Sequence, residues 1–126
     1  MKKRVLIVDD EPDLVTFLAK NLENNEYQTI SAFDGEEGLK KAIEEKPDLI
    51  LLDLIMPKHD GWQMLKGLKT HESTSPIPVI VVSAKAETDS IFAAKKQGVV
   101  DYIIKPIEIA ALVKYIKRYI EIYPVS

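Results

Sequence analysis

The sequence predicts an α/β domain in which helices are wound on both faces of one parallel sheet, and three observations lead there. Short apolar runs alternate with segments of helical periodicity five times along the chain. The run over residues 48–53 is almost uninterrupted, as a strand covered on both faces requires. Four runs end in polar residues: Val5-Leu6-Ile7-Val8 in Asp9-Asp10, Asp48-Leu49-Ile50-Leu51-Leu52 in Asp53, Val79-Ile80-Val81-Val82 in Ser83, and Tyr102-Ile103-Ile104 in Lys105-Pro106. In a parallel sheet those ends share one edge.

The first strand is predicted over residues 4–9. Pro12 suits the first turn of the helix that follows, and Leu14, Phe17, Leu18 and Leu22 recur down one of its faces. Residues 27–33 are β-prone, and Asp34-Gly35 turns the chain into a helix carrying Leu39, Ala42 and Ile43 that Pro47 ends. Residues 48–53 form the third strand. Residues 56–61 read as a loop, before a short helix with Met64, Leu65 and Leu68; the polar stretch 70–76 reads as a connector. The fourth strand is expected over 78–83, a helix over 87–97 with Gly98 as its cap, the fifth strand over 99–105, and a last helix from 108 to about 123. No repeat, low-complexity tract or linker divides the 126 residues, so the chain reads as one domain.

Composition excludes several classes. With 46% apolar and 29% charged residues the chain is ordinary globular material. A net charge of −3 lacks the basic face that sequence-independent nucleic-acid binding needs, so no direct nucleic-acid contact is expected. The absence of cysteine rules out disulfides and thiolate metal sites and is compatible with a reducing cytoplasm. Met1-Lys2-Lys3-Arg4 is basic like a signal peptide, but the apolar run behind it is too short for a signal or a membrane span.

Ligands of open parallel sheets bind beyond the carboxyl ends of the strands. A strand order of 2-1-3-4-5, one common order for such sheets, sets strand two aside and brings the four polar ends together. Strands lie about 4.8 Å apart, so Lys105 can reach Asp53 from two strands away. Two like charges about 4 Å apart repel by roughly 4 kcal/mol at an effective dielectric near 20, so Asp9, Asp10 and Asp53 need a cation or bound protons. An all-oxygen donor set favours Mg2+, with Mn2+ as the alternative, over zinc. Asp53 then reads as a nucleophile toward phosphorus, with Lys105 neutralising the transferred group. Taken singly, each residue has another reading: Asp9-Asp10 as a helix cap, Asp53 and Ser83 as turn residues, Lys105 as a solvated lysine. Their joint order favours chemistry. His59 and His71 fall in polar connectors without an assigned role, and Trp62 and the methionines read as packing residues.

The segments Val8-Asp9-Asp10-Glu11, Asp53-Leu54-Ile55-Met56-Pro57 with Asp60-Gly61, Ser83-Ala84, and Asp101-Tyr102-Ile103-Ile104-Lys105-Pro106 resemble the response-regulator receiver domain of two-component signalling, over residues 3 to about 123. The resemblance implies a flavodoxin-like receiver fold and a phosphorylation-dependent switch. Asp53 would be the phosphoacceptor, Asp10 and Asp53 direct Mg2+ ligands, Asp9 a ligand through water, and the Ile55 carbonyl the last protein ligand. Ser83 and Lys105 would contact phosphoryl oxygens, and the Lys105-Pro106 bond would be cis. Ser83 and Tyr102 would form the switch, changing the surface of helix four, strand five and helix five. The implied partners are a histidine kinase or histidine phosphotransfer protein, as in a phosphorelay, and a downstream effector or output domain. The chain is expected to be cytoplasmic, to perform only self-phosphorylation and self-dephosphorylation, and to be a receiver over residues 1–126 without an output domain, stand-alone or part of a larger regulator.

Three other classes fit less well. A dinucleotide-binding module wants a glycine-rich loop after strand one, where Asp9-Asp10-Glu11-Pro12 repels phosphate. A haloacid-dehalogenase-type phosphatase typically carries a second aspartate where Ile55 stands. A non-phosphorylated scaffold needs none of the acidic set. Ile107 and Val99 depart from the commonest receiver pattern away from the chemistry, while Ile55 and Lys85 sit where receivers vary water access to the acyl phosphate; apolar Ile55 is expected to lengthen its lifetime. In the last helix, Ile109, Leu112, Val113, Ile116 and Ile120 form a core stripe. Tyr115, Tyr119 and Ile122 form a second stripe, read either as extra packing or as a partner or homodimer surface.

Overall fold

The structure, a computed structural model, describes residues 2–57 and 60–122, with the side chains of Asp60 and Ile122 left aside. The expectations for His59 and for a helix end near Tyr123 lie outside the described residues. The elements are β1 (Arg4–Val8), α1 (Pro12–Asn24), β2 (Gln28–Ala32), α2 (Gly35–Glu45), β3 (Leu49–Leu52), α3 (Asp60–Thr70), β4 (Val79–Ser83), α4 (Thr88–Lys96), β5 (Asp101–Ile104) and α5 (Ile109–Lys117), which continues as a π-helical turn over Arg118–Ile122. All five strands pair in parallel in the order β2-β1-β3-β4-β5. The fold class and strand order are those predicted.

Alternation along the strands sorts the core into two layers. Leu6, Val8, Ile50, Leu52, Val79 and Val81 face Ala42 of α2, Met64, Leu65 and Leu68 of α3, and Ala94 of α4. Val5, Ile7, Leu49, Leu51, Ile80 and Val82 face Val15, Leu18 and Leu22 of α1 and Leu112, Val113, Ile116 and Ile120 of α5. Each fully buried Val, Leu or Ile contributes about 1.5–3 kcal/mol. Buried on both faces, the central strands cannot slip register without exposing a layer.

Local signals set the element ends. Asp34 caps α2 by accepting from the Glu37 N–H at 2.7 Å, and the Glu37 carboxylate accepts from the Phe33 N–H at 2.7 Å. That helix stops one residue before the position preceding Pro47: Lys46 takes φ 48 and closes on the Ala42 carbonyl. A residue ahead of proline is disfavoured in the α region, which explains the left-handed exit. Gly98 follows α4 with φ 95, a conformation that glycine adopts without strain.

The differences from expectation are local. The strands are shorter than their apolar runs, because Val99 and Val100 are apolar for reasons other than strand membership: the Val99 N–H closes onto Ala94 at the end of α4, and Val99 is buried. Helix α3 includes Asp60 and Gly61, which were expected in the loop, and Thr70, expected in the connector. The connector itself is anchored by buried Thr74, whose hydroxyl donates to the Leu68 carbonyl at 2.8 Å. Two members of the second stripe of α5 are packing: Tyr115 and Tyr119 lie against the core, and the Tyr119 hydroxyl bonds Val100 O and Asp101 Oδ2, both at 3.0 Å; the Ile122 side chain lies outside the described residues. A tyrosine is long enough to reach back over the sheet edge, and the hydroxyl finds partners there. No helix among the described residues is long and apolar enough to cross a membrane.

Gly61 ties this packing to the sheet edge. A Cβ there would lie 2.4 Å from both the Asp53 carbonyl oxygen and the Leu54 Cα, backbone atoms with no freedom to yield. Gly61→Ala is expected to destabilise the domain by about 1–3 kcal/mol, the usual cost of overpacking, measured by urea unfolding.

Candidate functional site

The sheet places its polar strand ends by register. Val8 is level with Leu52, so Asp9 and Asp53 are the next residues on neighbouring strands, and the Asp53 N–H extends the ladder to the Val8 carbonyl at 3.0 Å. Ser83 pairs with Ile104, and the Lys105 N–H reaches the Ser83 carbonyl at 2.9 Å. The ladders therefore fix the backbones that carry Asp9, Asp53, Ser83, Tyr102 and Lys105.

Asp9 and Asp53 are buried, at 3% and 4% exposure, whereas Asp10 faces solvent. The three carboxylates each offer an oxygen within 4.8 Å of the others. Lys105 crosses beneath two strands: its Nζ donates to Asp9 Oδ2 at 2.9 Å and to Asp53 Oδ2 at 3.0 Å. A third acid, Glu11, holds Oε1 3.6 Å from the same Nζ. Backbone amides take the remaining carboxylate oxygens, Glu11 N–H on Asp9 Oδ1 at 3.0 Å and Ile55 N–H on Asp53 Oδ1 at 2.9 Å. The Lys105-Pro106 peptide is cis.

Three carboxylates meet the Lys105 ammonium and a fourth, Asp10, lies beside them, which leaves three formal negative charges at the edge. The two partners respond differently. Burial pushes Asp53 above the ordinary carboxylate range; its bonds from Ile55 and Lys105 oppose this and neighbouring Asp9 reinforces it. Burial works against the Lys105 ammonium, but bonds to Asp9 and Asp53 outweigh it and hold the amine above its usual range. The asymmetry is physical: the lysine meets several anions, while Asp53 meets one cation, one anion and an apolar surround. Hard oxygen donors at this spacing fit a magnesium ion, which takes carboxylates and keeps waters.

Ser83 is fully buried, and its Oγ accepts from the Lys85 N–H at 3.2 Å. The Tyr102 hydroxyl donates to the carbonyl of the same residue at 2.7 Å, and its ring packs on the core. Burial raises the Tyr102 phenol above its usual pKa; the neighbouring Ser83 hydroxyl opposes this, while the Asp53 and Glu87 charges add to it. Thus Asp9, Asp10, Asp53 and Lys105 converge directly, whereas Ser83 and Tyr102 are joined through the Lys85 backbone. Sequence reasoning gave Glu11 and the Lys85 backbone no such part. Glu11 sits within a quoted motif, but its approach to Lys105 depends on how the chain after β5 folds back. His71 serves its own turn, accepting at Nδ1 from the Ser73 N–H at 3.3 Å.

The response regulator receiver domain pattern matches residues 5–117. The chain is 44% identical over 125 residues to the alkaline phosphatase synthesis transcriptional regulatory protein PhoP of Bacillus subtilis, covering 97% of this chain and 51% of that protein. It is 41% identical over 114 residues to protein PilH of Pseudomonas aeruginosa, covering 90% of this chain and 93% of that one. The chain thus spans about half the length of the first relative and nearly all of the second. Among solved structures, the Vibrio cholerae chemotaxis protein CheY4 superposes with a TM-score of 0.88 over 94% of this chain and 98% of that one; at 24% identity the likeness is one of fold.

Because Asp53 ionises against burial and a like charge, Asp53→Asn is expected to raise the unfolding midpoint in magnesium-free buffer at neutral pH. A carboxyl whose folded-state pKa is raised costs stability once pH exceeds its unfolded value. The gap should therefore close as pH falls through the carboxylate range, and shrink when magnesium binds and stabilises the parent. Thermal melts across pH, with and without magnesium, check both signs.

Proposed function

Since the chain belongs to the response regulator receiver domain family and is a phosphorylation-dependent switch of two-component signalling, we propose that Asp53 is its phosphoacceptor and Lys105 the cation that receives the phosphoryl charge. The observation that carries this reading is the Lys105 ammonium lying 2.9 Å from Asp9 and 3.0 Å from Asp53 at the edge of the sheet. No other described lysine bridges two buried carboxylates.

In the proposed reaction one Asp53 carboxylate oxygen, given up by the Lys105 ammonium or the Ile55 N–H that holds it, attacks phosphorus in line with the N–P bond of a protonated phosphohistidine. The O–P bond forms as the N–P bond breaks, its electrons return to the imidazole, and the ring leaves neutral and still carrying its proton. Asp10, Asp53, Asp9 and the Ile55 carbonyl would hold Mg2+, which supplies charge neutralisation at the transferred oxygens. Lys105 would turn from its carboxylates toward one phosphoryl oxygen, and the Ser83 hydroxyl would donate to another. In self-dephosphorylation a water oxygen would attack the same phosphorus, the Asp53 O–P bond would break, and inorganic phosphate would leave the restored carboxylate. The donor would be a histidine kinase or histidine phosphotransfer protein, and the recipient of the signal an effector or output domain.

The switch would run through the backbone of Lys85. A Ser83 hydroxyl drawn to the phosphoryl group would release the Lys85 N–H, and the carbonyl on the other side of the Lys85 Cα holds Tyr102. The position of Tyr102 would then report the charge on Asp53 to the exposed Phe92 of α4 and Ile104 of β5.

Asp53→Asn is expected to abolish the phosphate adduct formed with a small acyl-phosphate donor and magnesium, read by intact mass; an adduct of undiminished yield would refute the assignment. Ile55, 47% exposed above the carboxylate that its own N–H binds, partly screens the acyl phosphate from water. Ile55→Asn should therefore shorten the acyl-phosphate lifetime severalfold in a discontinuous decay assay, and a longer lifetime would contradict the screening role.

A further inference from the structure

Glu11 occupies the position just before α1, where a side chain ordinarily caps the helix. It makes no cap bond. Its backbone is committed, the N–H to Asp9 Oδ1 at 3.0 Å and the carbonyl to the Val15 N–H at 3.1 Å, while its carboxylate leans across the mouth of the site to within 3.6 Å of Lys105 Nζ. The side chain is 63% exposed, whereas Lys105 is 14% exposed and Asp9 and Asp53 are nearly enclosed. Glu11 is thus the solvent-side carboxylate of the set that faces the lysine. It borders an open cleft formed with Leu14, Phe17, Pro106 and Ile107.

Resting on the reading of Asp53 as phosphoacceptor, we propose that Glu11 is an electrostatic gate that retains Lys105 on its outer side and repels free phosphodianions approaching Asp53. Glu11 acts through Lys105 and through space, so it is a positioning residue. A small acyl phosphate carries about two negative charges and arrives with no protein surface to offset the Glu11 carboxylate. A unit charge about 6 Å from a dianion, in near-aqueous surroundings at physiological salt, changes an encounter rate by roughly threefold. Reversing the charge should double that effect on the logarithmic scale, to about tenfold. If Glu11 serves only α1, as acids at helix starts commonly do, neutralising it lowers helix stability and leaves the rate untouched.

The test compares the parent chain with Glu11→Gln and Glu11→Lys, using acetyl phosphate at saturating magnesium, with acyl-phosphate formation followed by intact mass. At about 0.15 M salt the second-order rate constant should rise about threefold for Glu11→Gln and about tenfold for Glu11→Lys, and both ratios should fall toward one near 1 M salt, where the screening length is about 3 Å. Equal rates in all three proteins at the lower salt overturn the gate while leaving Asp53 as acceptor. A rate difference that persists at high salt overturns it as well, because its cause is then steric. If none of the three forms an acyl phosphate, the assignment of Asp53 falls and the gate with it. Circular dichroism of each variant confirms that folded proteins are compared.

Discussion

The arrangement depends on one constraint: a parallel sheet buried on both faces delivers several carboxylates to one edge, and a single lysine has to hold them together. Lys105 sits between Asp9 and Asp53 at hydrogen-bond distance from both. Without it, two nearly enclosed anions would face each other across adjacent strands, a repulsion of roughly 4 kcal/mol at an effective dielectric near 20. With it, the pair is tolerated but not neutralised. Burial still raises the Asp53 carboxyl, so the site remains in want of positive charge.

Rigidity converts that want into directed chemistry. Asp9 and Asp53 extend backbone ladders whose neighbouring strand residues are completely buried, and Gly61 packs a helix start onto the Asp53 carbonyl without room for a methyl group. The carboxylates cannot separate to relieve their repulsion, since moving either would break ladder bonds or open a core layer. The strain of like charge is therefore relieved by ligands rather than by relaxation of the chain. A softer edge would lose both the metal preference and the alignment of the acceptor oxygen.

The parts legible in the sequence were those governed by periodicity along the chain. Asp9, Asp53, Ser83 and Lys105 each close an apolar run, so strand alternation alone brings them to one edge, and the strand order follows the usual connection rules. What escaped were contacts set by folding between segments far apart in sequence. Tyr119 lies four residues from Tyr115, and the stripe left packing and a partner surface both open; its hydroxyl is spent on Val100 and Asp101 at the start of the edge strand. The Lys85 backbone links Ser83 and Tyr102 through the N–H and C=O on either side of its Cα, and no residue type advertises a backbone role. Element ends also misled, because Val99 is apolar for burial at the close of α4, outside the strand that follows.

The charge count also constrains the order of events. With Asp9, Asp10, Glu11 and Asp53 against Lys105, the unliganded edge carries three formal negative charges, and a phosphodianion approaching it meets repulsion from every side. With a divalent cation in place the count falls to one, and the approach becomes nearly neutral. The proposed phosphorylation of Asp53 would exchange one carboxylate charge for about two on the phosphoryl group, returning the site to a deficit of about two. That deficit would fall on the groups that can still move: Lys105, freed from its carboxylates, and the Ser83 hydroxyl, held by one amide bond. The bond that Ser83 would give up comes from the N–H of Lys85, the residue whose carbonyl fixes Tyr102. A change of one charge unit at Asp53 would thereby be relieved along a route that ends at the exposed face, which is the property a switch requires.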